Sequence, residues 1–165
     1  MRKTAIFKSD VFLMHDPGPN HPERIDRLRV IYDYINRAEV KDKFIFPDFE
    51  PADISSIERN HSSSLVQRVS ETSGKTYDFL DQDTATSARS YEAALLAAGS
   101  VTRGVDLLLA NEIDNGFALV RPPGHHAEKE RSMGFCLFNN VAVAALYAQA
   151  RHDLQRIMIV DWALH

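Results

Sequence analysis

The stretch FALVRPPGHH, residues 117–126, decides the fold class of this chain of 165 residues. Its first part, residues 117–120, is a continuous apolar run bounded by Gly116 and by two prolines, which predicts a short strand buried on both faces of a parallel sheet. The apolar run at 157–160 predicts a second buried strand. A helical pattern at 141–151 lies between the two runs, and the order strand, helix, strand predicts a right-handed parallel crossover in an α/β sheet.

The N-terminal part of the chain adds a strand and two helices. Residues 4–8 have the apolar character of a first strand. Pro22 stands where a first helical residue is expected, and apolar residues follow it at helical spacing. A second, weaker helix is predicted around residues 65–69.

The longest predicted helix precedes the decisive stretch. Its apolar residues recur at steps of three and four, so we expect it to start near Ser87 or Ser90 and to end by residues 115–116. The helix at 141–151 has Asn139 or Asn140 available as its N-cap.

Composition and charge are typical of one globular domain. Apolar residues make up 44% of the chain and charged residues 25%, and no linker or low-complexity tract divides it. We therefore expect residues 1–165 to belong to a single domain. The net charge of -4 argues against a nucleic-acid-binding face, which would need a basic surface.

Cysteine content and the apolar runs predict the compartment. Cys136 is the single cysteine and cannot form an internal disulfide, which favours a reducing compartment. The apolar run at residues 5–7 is too short for a signal peptide, and no stretch approaches the length needed to span a bilayer. We expect a cytoplasmic protein with no membrane partner.

Polar residues with catalytic chemistry follow both predicted strands of the crossover. His125 and His126 come after the first strand and Asp161 after the second, where ligands of open α/β sheets bind. Histidine is the side chain best suited to move protons near neutral pH. Asp161 could hold one imidazole in a fixed tautomer or could cap a following helix. Asp161 and His165 are also possible ligands of a divalent ion, but two ligands do not define a tetrahedral site.

A glycine, an aromatic residue and a cysteine follow a polar loop at 128–132. Gly134 permits close backbone approach and Phe135 could wall a narrow apolar channel, although a turn with a core aromatic is the commoner meaning of such a pair. Cys136 has no basic neighbour in sequence, so we interpret it as a buried filler rather than a nucleophile. His21 is interpreted as shaping a helix entry rather than binding metal.

Taken together, these segments resemble the histone deacetylase superfamily, which includes bacterial acetylpolyamine amidohydrolases and acetoin-utilisation proteins. The resemblance runs almost from end to end of the chain, and its Arg-Pro-Pro-Gly-His-His segment is highly specific. The matching segments are His21-Pro22-Glu23-Arg24, Asp83-Thr84, Ser90-Tyr91-Glu92-Ala93-Ala94, Arg121-Pro122-Pro123-Gly124-His125-His126-Ala127-Glu128, Gly134-Phe135-Cys136, Phe138-Asn139-Asn140 and Ile159-Val160-Asp161-Trp162.

The resemblance implies an arginase-like fold, with a central parallel sheet flanked by helices and an active site at the carboxyl edge of the sheet. It implies that His126 is the general base and acid, and that His125 is a second histidine held by Asp161. Gly134 and Phe135 would line the tunnel that admits an acyl-lysine or acyl-amine chain.

The same resemblance implies a substrate and a cofactor. The substrate class is an acyl-lysine peptide or an acyl-polyamine, and Asp83 would lie on the rim loop that grips the substrate backbone. Zinc is the implied cofactor, because family members use it to polarise the amide carbonyl and to lower the pKa of the attacking water. One histidine then takes the water's proton and returns a proton to the leaving amine.

The predicted metal site departs from the family pattern. Ala163 stands where a ligand aspartate is expected, and His165 is the ligand histidine that remains. Family members take a further ligand aspartate and an oxyanion tyrosine from a later region, and their catalytic domains are considerably longer. We therefore expect the N-terminal portion of a truncated deacetylase domain, which retains zinc poorly and exposes a sheet edge to self-association or to a completing chain.

Three classes of protein remain open on this basis. The first is a zinc-dependent deacetylase or deacylase, represented by a chain that is not competent alone. The second is a non-catalytic relative that uses an acyl-lysine pocket without zinc for binding or assembly. The third, an arginase-like dimetal hydrolase, fits the double histidine and the Gly-Phe-Cys segment poorly.

Overall fold

A computed structural model describes residues 2–162, which form a parallel sheet flanked by helices and a separate hairpin. The predicted α/β class is confirmed. The elements in chain order are β1 (Thr4–Phe7), a 3-10 helix (Asp10–Met14), α1 (Asp26–Ile35), α2 (Ala38–Lys41), α3 (Ile54–Ile57), α4 (Ser63–Ser70), β2 (Asp78–Asp81), β3 (Thr84–Thr86), α5 (Ser90–Leu109), β4 (Asn115–Ala118) and α6 (Asn140–His152).

The parallel sheet is built on β1, which the sequence predicted. Strand β1 pairs in parallel with β4, in a register that sets Thr4 opposite Asn115 and Phe7 opposite Ala118. On its other side, Ala5 forms a parallel bridge with Ile45. Strands β2 and β3 form an antiparallel hairpin with an irregular register near Phe79. The carboxyl end of β4 therefore opens directly into the Pro-Pro-Gly-His-His loop.

Helix α5 is the central support of this sheet. It contacts α6, β1, β4 and the 3-10 helix, because its alternating small and apolar residues bury most of its surface. It starts at Ser90, as predicted, and ends where Asn111 adopts a left-handed φ of 57° and the Glu112 amide donates to the Leu107 carbonyl at 3.0 Å.

Helix α6 confirms the prediction at 141–151, and Asn139 is its N-cap. The Asn139 side chain accepts a hydrogen bond from the Ala142 amide at 3.1 Å. The apolar face of α6 joins α4 and α5 in the largest core cluster, which includes Leu137 and Phe138 immediately before the helix. The packing of α6 therefore places its N-terminus directly beneath the histidine loop.

Three boundaries or environments differ from the prediction. The helix expected from Pro22 begins at Asp26, because residues 21–24 form a separate turn. The strand expected at 117–120 runs from Asn115 to Ala118, and its Phe117 is 64% exposed rather than buried. The prediction of burial on both faces is wrong, since β1 is the only strand that pairs with β4 in the described part of the chain.

The prediction of a second buried strand at residues 157–160 is also wrong. Residues 157–160 have no strand assignment, and Met158 and Val160 are 84% and 61% exposed. A continuous apolar run becomes a buried strand only when a neighbouring strand takes up its backbone hydrogen bonds and both of its faces are covered. Residues 2–162 do not provide that cover, so this run lies unpaired at the edge of α5 and α6.

Candidate active site

The histidine loop leaves β4 at the carboxyl edge of the sheet. The Leu119 amide still bonds the Phe7 carbonyl at 2.9 Å, and the loop then passes through a cis peptide bond before Pro122. The ring centroids of His125 and His126 lie 4.3 Å apart, and the two ring planes make an angle of 55°. His125 is exposed and His126 is partly buried. The loop thus presents two imidazoles side by side at the position where open α/β sheets bind ligands.

The N-terminus of α6 supports this loop from behind. The Asn140 side-chain amide donates to the Pro122 carbonyl at 3.4 Å, and the Asn139 side-chain amide donates to the Ala127 carbonyl at 3.2 Å. Gly124 lies so close that an added Cβ would be 2.6 Å from the Asn140 amide nitrogen. Sequence reasoning found Asn139 only as a helix cap and missed this second role, although the pair Asn139-Asn140 behind the loop was visible.

A tight turn at Gly134 and Phe135 forms the opposite wall of the site. Both residues have positive φ, 56° and 68°. Gly134 packs directly on the imidazole of His126, since an added Cβ would lie 2.6 Å from its Cδ2. This contact brings together Gly134 and His126, which the sequence had nominated separately.

Asp83 lies at the same turn. Its Oδ1 accepts a hydrogen bond from the Gly134 amide at 3.2 Å, and the neighbouring Thr84 hydroxyl accepts one from the Phe135 amide at 3.1 Å. The loop between β2 and β3 therefore orients the turn that contacts His126. The predicted role of Asp83 at a substrate rim stays a prediction.

Cys136 lies at the floor of the site and is fully buried. Its sulfur accepts a hydrogen bond from the His126 amide at 3.4 Å, and its thiol donates to the Gly134 carbonyl at 3.3 Å. Burial raises the pKa of the Cys136 thiol to about 11. This environment agrees with the interpretation of Cys136 as a filler rather than a nucleophile.

A buried ion pair beneath the site was missed by the sequence reasoning. Arg121 and Glu23 form a forked pair, with Nε to Oε1 and Nη2 to Oε2 distances of 2.7 Å, and both side chains are almost completely buried. Nothing local marks these residues as partners, since they are 98 positions apart. Each residue lies in a segment that carries the family resemblance, but neither segment indicates that the two side chains pair.

His15 extends the same buried region. Its Nδ1 lies 2.7 Å from the Ser90 hydroxyl and its Nε2 lies 3.7 Å from Glu23 Oε2. Burial, with a smaller contribution from the positive charge of Arg121, lowers the pKa of His15 to about 3. His15 is therefore a neutral structural imidazole near pH 7.

His61 is a second buried histidine that fixes the loop after His126. Its Nδ1 donates to the Glu128 carbonyl at 2.9 Å, and its Nε2 accepts from the Asn139 amide at 2.9 Å. Burial lowers the pKa of His61 as well. These two bonds assign its proton to Nδ1 and tie the loop to the N-cap of α6.

The predicted acidic partner and metal ligands lie at the far end of the chain. Asp161 is exposed, and its contact with His125 stays a prediction. His165 and Ala163 lie outside the described residues. Within residues 2–162, no three His, Cys, Asp or Glu side chains converge closely enough to hold a metal ion. A catalytic zinc needs three protein ligands, so the described residues do not fit it on their own.

The fold and site together define a class: an α/β protein with two adjacent histidines in the loop that follows the carboxyl end of a parallel strand. A family model for the histone deacetylase domain matches residues 21–165. The chain belongs to the histone deacetylase family.

Individual relatives agree with this assignment. Histone deacetylase 5 of Arabidopsis thaliana is 39% identical over 99% of this chain and 27% of its own length. A histone deacetylase-like amidohydrolase of Pseudomonas aeruginosa is 32% identical over 99% of this chain and 48% of its own length. The crystal structure of the HDA15 HD domain superposes with a TM-score of 0.85 at 38% identity, over 90% of this chain and 44% of that one.

The chain thus spans roughly a quarter to a half of the length of these relatives. Among the helices in residues 2–162, none is long and apolar enough to cross a membrane.

Proposed function

We propose that this chain supplies the histidine pair and one tunnel wall of a deacetylase site that hydrolyses acyl-lysine or acyl-amine amides. The observation that carries the proposal is the packing of His126 against Gly134, whose amide is bonded to Asp83. This contact sets a proton-transfer group beside a narrow turn and a rim carboxylate. Family membership supports the reaction class.

The roles of the two histidines follow from their surroundings. His126 is partly buried, and its backbone amide donates a hydrogen bond to the Cys136 sulfur. It therefore has the fixed position that general acid–base catalysis needs. His125 is more exposed, and its proposed role is electrostatic, with Asp161 as its carboxylate partner. The proposed sequence is that His126 takes a proton from the attacking water and then gives one to the leaving amine.

Two substrate classes are supported by the names of relatives. The Arabidopsis relatives are histone deacetylases, and a Danio rerio relative that is 43% identical over 64% of this chain is a polyamine deacetylase. Both substrate classes present an amide on a long alkyl chain. The aromatic ring of Phe135 would pack against that alkyl chain in the proposed tunnel.

We further propose that the 165-residue chain alone neither retains zinc nor hydrolyses amides. Two observations support this. Residues 2–162 contain no group of three candidate metal ligands, and Ala163 stands at an expected ligand position. Zinc analysis after dialysis of the purified chain should give well under one equivalent. Stoichiometric zinc in the dialysed chain would contradict the proposal.

A longer version of the protein tests the activity itself. The chain carrying Ala163→Asp, joined to the C-terminal part of the Pseudomonas aeruginosa relative, should bind zinc and hydrolyse acetyl-lysine peptide or acetylated polyamine. The same chimera with His126→Ala is the control for residual activity. A chimera that binds one zinc and hydrolyses neither substrate would overturn the proposed function.

A completing chain is the proposed partner. Strand β4 has an unpaired edge in the described part of the chain, and an apolar groove lies between α5, α6 and residues 154–160. Exposed strand edges and apolar grooves are sites of pairing. The remainder of a family domain, or a second copy of the chain, would cover both.

The alternative function is binding without catalysis. It is favoured by Ala163, which replaces a ligand carboxylate. A zinc-free chain of this kind should bind an acetyl-lysine peptide and discriminate against the unmodified lysine peptide. Equal binding of the two peptides, measured by calorimetry, would exclude this alternative.

A further inference from the structure

We propose that Glu23 is a positioning residue for the histidine pair. It acts through a series of contacts that runs from Arg121 through the turn at 21–24 and the Asp83 loop to His126. The backbone between Arg121 and His126 closes this series into a ring. The inference rests on the proposed function for its catalytic consequence. The ring itself is a feature of the described residues and needs no metal.

The first link of the ring is the buried ion pair. Besides the fork to the Glu23 carboxylate, Arg121 Nη2 donates to the Glu23 carbonyl at 2.8 Å and Nη1 donates to the Phe12 carbonyl at 3.0 Å. A forked, charge-assisted pair has one favoured geometry, and its burial excludes competing water. Arg121 immediately precedes the histidine loop, so the origin of that loop is held at one place.

The second link runs from Glu23 to the rim. The Glu23 amide donates to His21 Nδ1 at 3.1 Å, which assigns the imidazole proton to Nε2. That Nε2 faces the Asp83 carbonyl at 3.3 Å. The His21 ring also packs edge-on against Phe135, with 4.5 Å between ring centroids. One short turn therefore joins the base of the histidine loop to the Asp83 loop and to the tunnel wall.

The third link returns to the catalytic histidine. Asp83 bonds the Gly134 amide, and Gly134 touches the imidazole of His126. The His126 amide in turn bonds Cys136, two residues beyond Gly134. Because every contact in the ring is a hydrogen bond, an ion pair or a steric contact, the wall and the histidine keep a fixed separation.

Loss of the Glu23 carboxylate removes the charged fork from this link and leaves only the bond from Arg121 Nη2 to the Glu23 carbonyl. The Arg121 guanidinium would then be a buried charge without its counterion, so the turn at 21–24 and the histidine loop would relax apart. A displacement of about 1 Å at a reacting group lowers rates by about 10²-fold. The expected consequence is a misplaced His126 in a chain that still folds.

Nuclear magnetic resonance on the full 165-residue chain tests the ring without any activity measurement. The probe is the nuclear Overhauser effect between Gly134 Hα and His126 Hδ2. Glu23→Gln keeps the shape of the side chain and removes its charge, and Arg121→Lys keeps the charge and removes the fork. Both variants should weaken this cross-peak severalfold, while the far-ultraviolet circular dichroism stays native.

The matched control is Asp106→Asn. Asp106 accepts hydrogen bonds from Tyr147 at 3.0 Å and His152 at 2.7 Å at the opposite end of α6, so its loss also destabilises the chain. The control should lower the melting temperature and leave the cross-peak intact. A cross-peak of native intensity in both ring variants would overturn the proposal, and so would the unfolding of both, because the pair would then serve stability alone.

A kinetic arm separates this inference from the proposed function. In the zinc-binding chimera, Glu23→Gln should lower kcat by about 10²-fold with KM nearly unchanged. If the chimera has no activity, the proposed function fails while the resonance measurement still decides the positioning role. An active chimera whose kcat is unaffected by Glu23→Gln would refute the role of Glu23 in catalysis.

Discussion

At the scale of single residues, the site depends on a contact that only glycine permits. Gly134 has a φ of 56°, and an added Cβ would lie 2.6 Å from His126 Cδ2. Real Cβ atoms do not approach ring carbons so closely, and a left-handed backbone is strained for other residues. The place of the His126 ring is therefore defined by the absence of a side chain on the facing turn.

The first residue-scale prediction separates the roles of His125 and His126 in the zinc-binding chimera. His126→Ala should lower kcat by about 10²-fold or more with little change in KM, because proton transfer occurs in the transition state. His125→Ala should cost less and should change the pH profile, since Asp161 would lose its partner. Steady-state kinetics on one acetyl-lysine peptide measure both. A larger loss with His125→Ala at every pH would reverse the assignment.

The second residue-scale prediction concerns His15 and the pH dependence of folding. Burial holds the pKa of His15 at about 3, below the ordinary value of 6.5. Between these values the unfolded chain binds a proton that the folded chain does not, so stability is complete above about pH 6.5 and is lost as pH falls toward 3. At pH 5 the loss attributable to His15 should be about 2 kcal/mol.

Urea unfolding at pH 7 and pH 5 checks this. His15→Asn keeps a hydrogen-bonding group near Ser90 and removes the titration, so its stability should change less between the two pH values than that of the native chain. Some dependence should remain, because burial also lowers the pKa of His61. An identical change in the native chain and the variant would refute the assignment to His15.

At the scale of elements, α5 and α6 support the site from below. Helix α5 packs closely enough on the loop at 50–52 that an added Cβ on Gly99 would lie 1.9 Å from the Glu50 carbonyl oxygen. The Ala52 amide also bonds the Leu95 carbonyl at 2.9 Å. Helix α6 holds the histidine loop through Asn139 and Asn140. Helix packing therefore positions the site together with the sheet.

The element-scale prediction compares two glycines of α5. Gly99→Ala should destabilise the chain by about 3 kcal/mol or more, because backbone atoms cannot move aside. At Gly104 an added Cβ would meet only the Phe7 ring, at 3.3 Å, and the gain in helix propensity offsets that crowding, so Gly104→Ala should change stability by less than about 1 kcal/mol. Denaturant unfolding of the two variants measures the difference. Equal costs would mean that the α5 packing is looser than described.

At the scale of the whole molecule, an apolar groove lies between α5, α6 and residues 154–160. Met158 and Val160, which line it, are 84% and 61% exposed. Contiguous apolar surface of this kind marks an interaction site. The groove is formed by α5, α6 and the apolar run at 157–160, so the same surface leaves that run uncovered.

The whole-molecule prediction is self-association of the purified chain through this surface. Val160→Glu should reduce the average mass seen by sedimentation velocity, because it places a charge in the apolar patch. Val30→Glu is the matched control, since Val30 on α1 is 67% exposed and Val160 is 61% exposed. A monodisperse native monomer with a sharp, cooperative melt would contradict the prediction. Equal effects of the two variants would place the contact elsewhere.

Sequence alone determined the α/β class, the strand at β1, the helices α5 and α6, the Asn139 cap and the family. These features depend on local information: helical periodicity, turn chemistry and a segment, 121–126, too specific to arise by chance. The periodicity of an apolar run specifies which face is apolar, and capping specifies where a helix starts. The sequence also nominated His126, Gly134 and Asp83 separately.

Tertiary structure alone decided how those residues meet and which apolar runs are covered. The Glu23–Arg121 pair joins positions 98 residues apart. The His15–Ser90 hydrogen bond joins positions 75 apart, and the Asp83–Gly134 hydrogen bond joins positions 51 apart. No local pattern encodes such distant partners, because burial can pair charges wherever the fold brings them together. The exposed run at 157–160 shows the converse: an apolar pattern predicts a strand, but a strand is buried only where neighbouring strands and helices cover it.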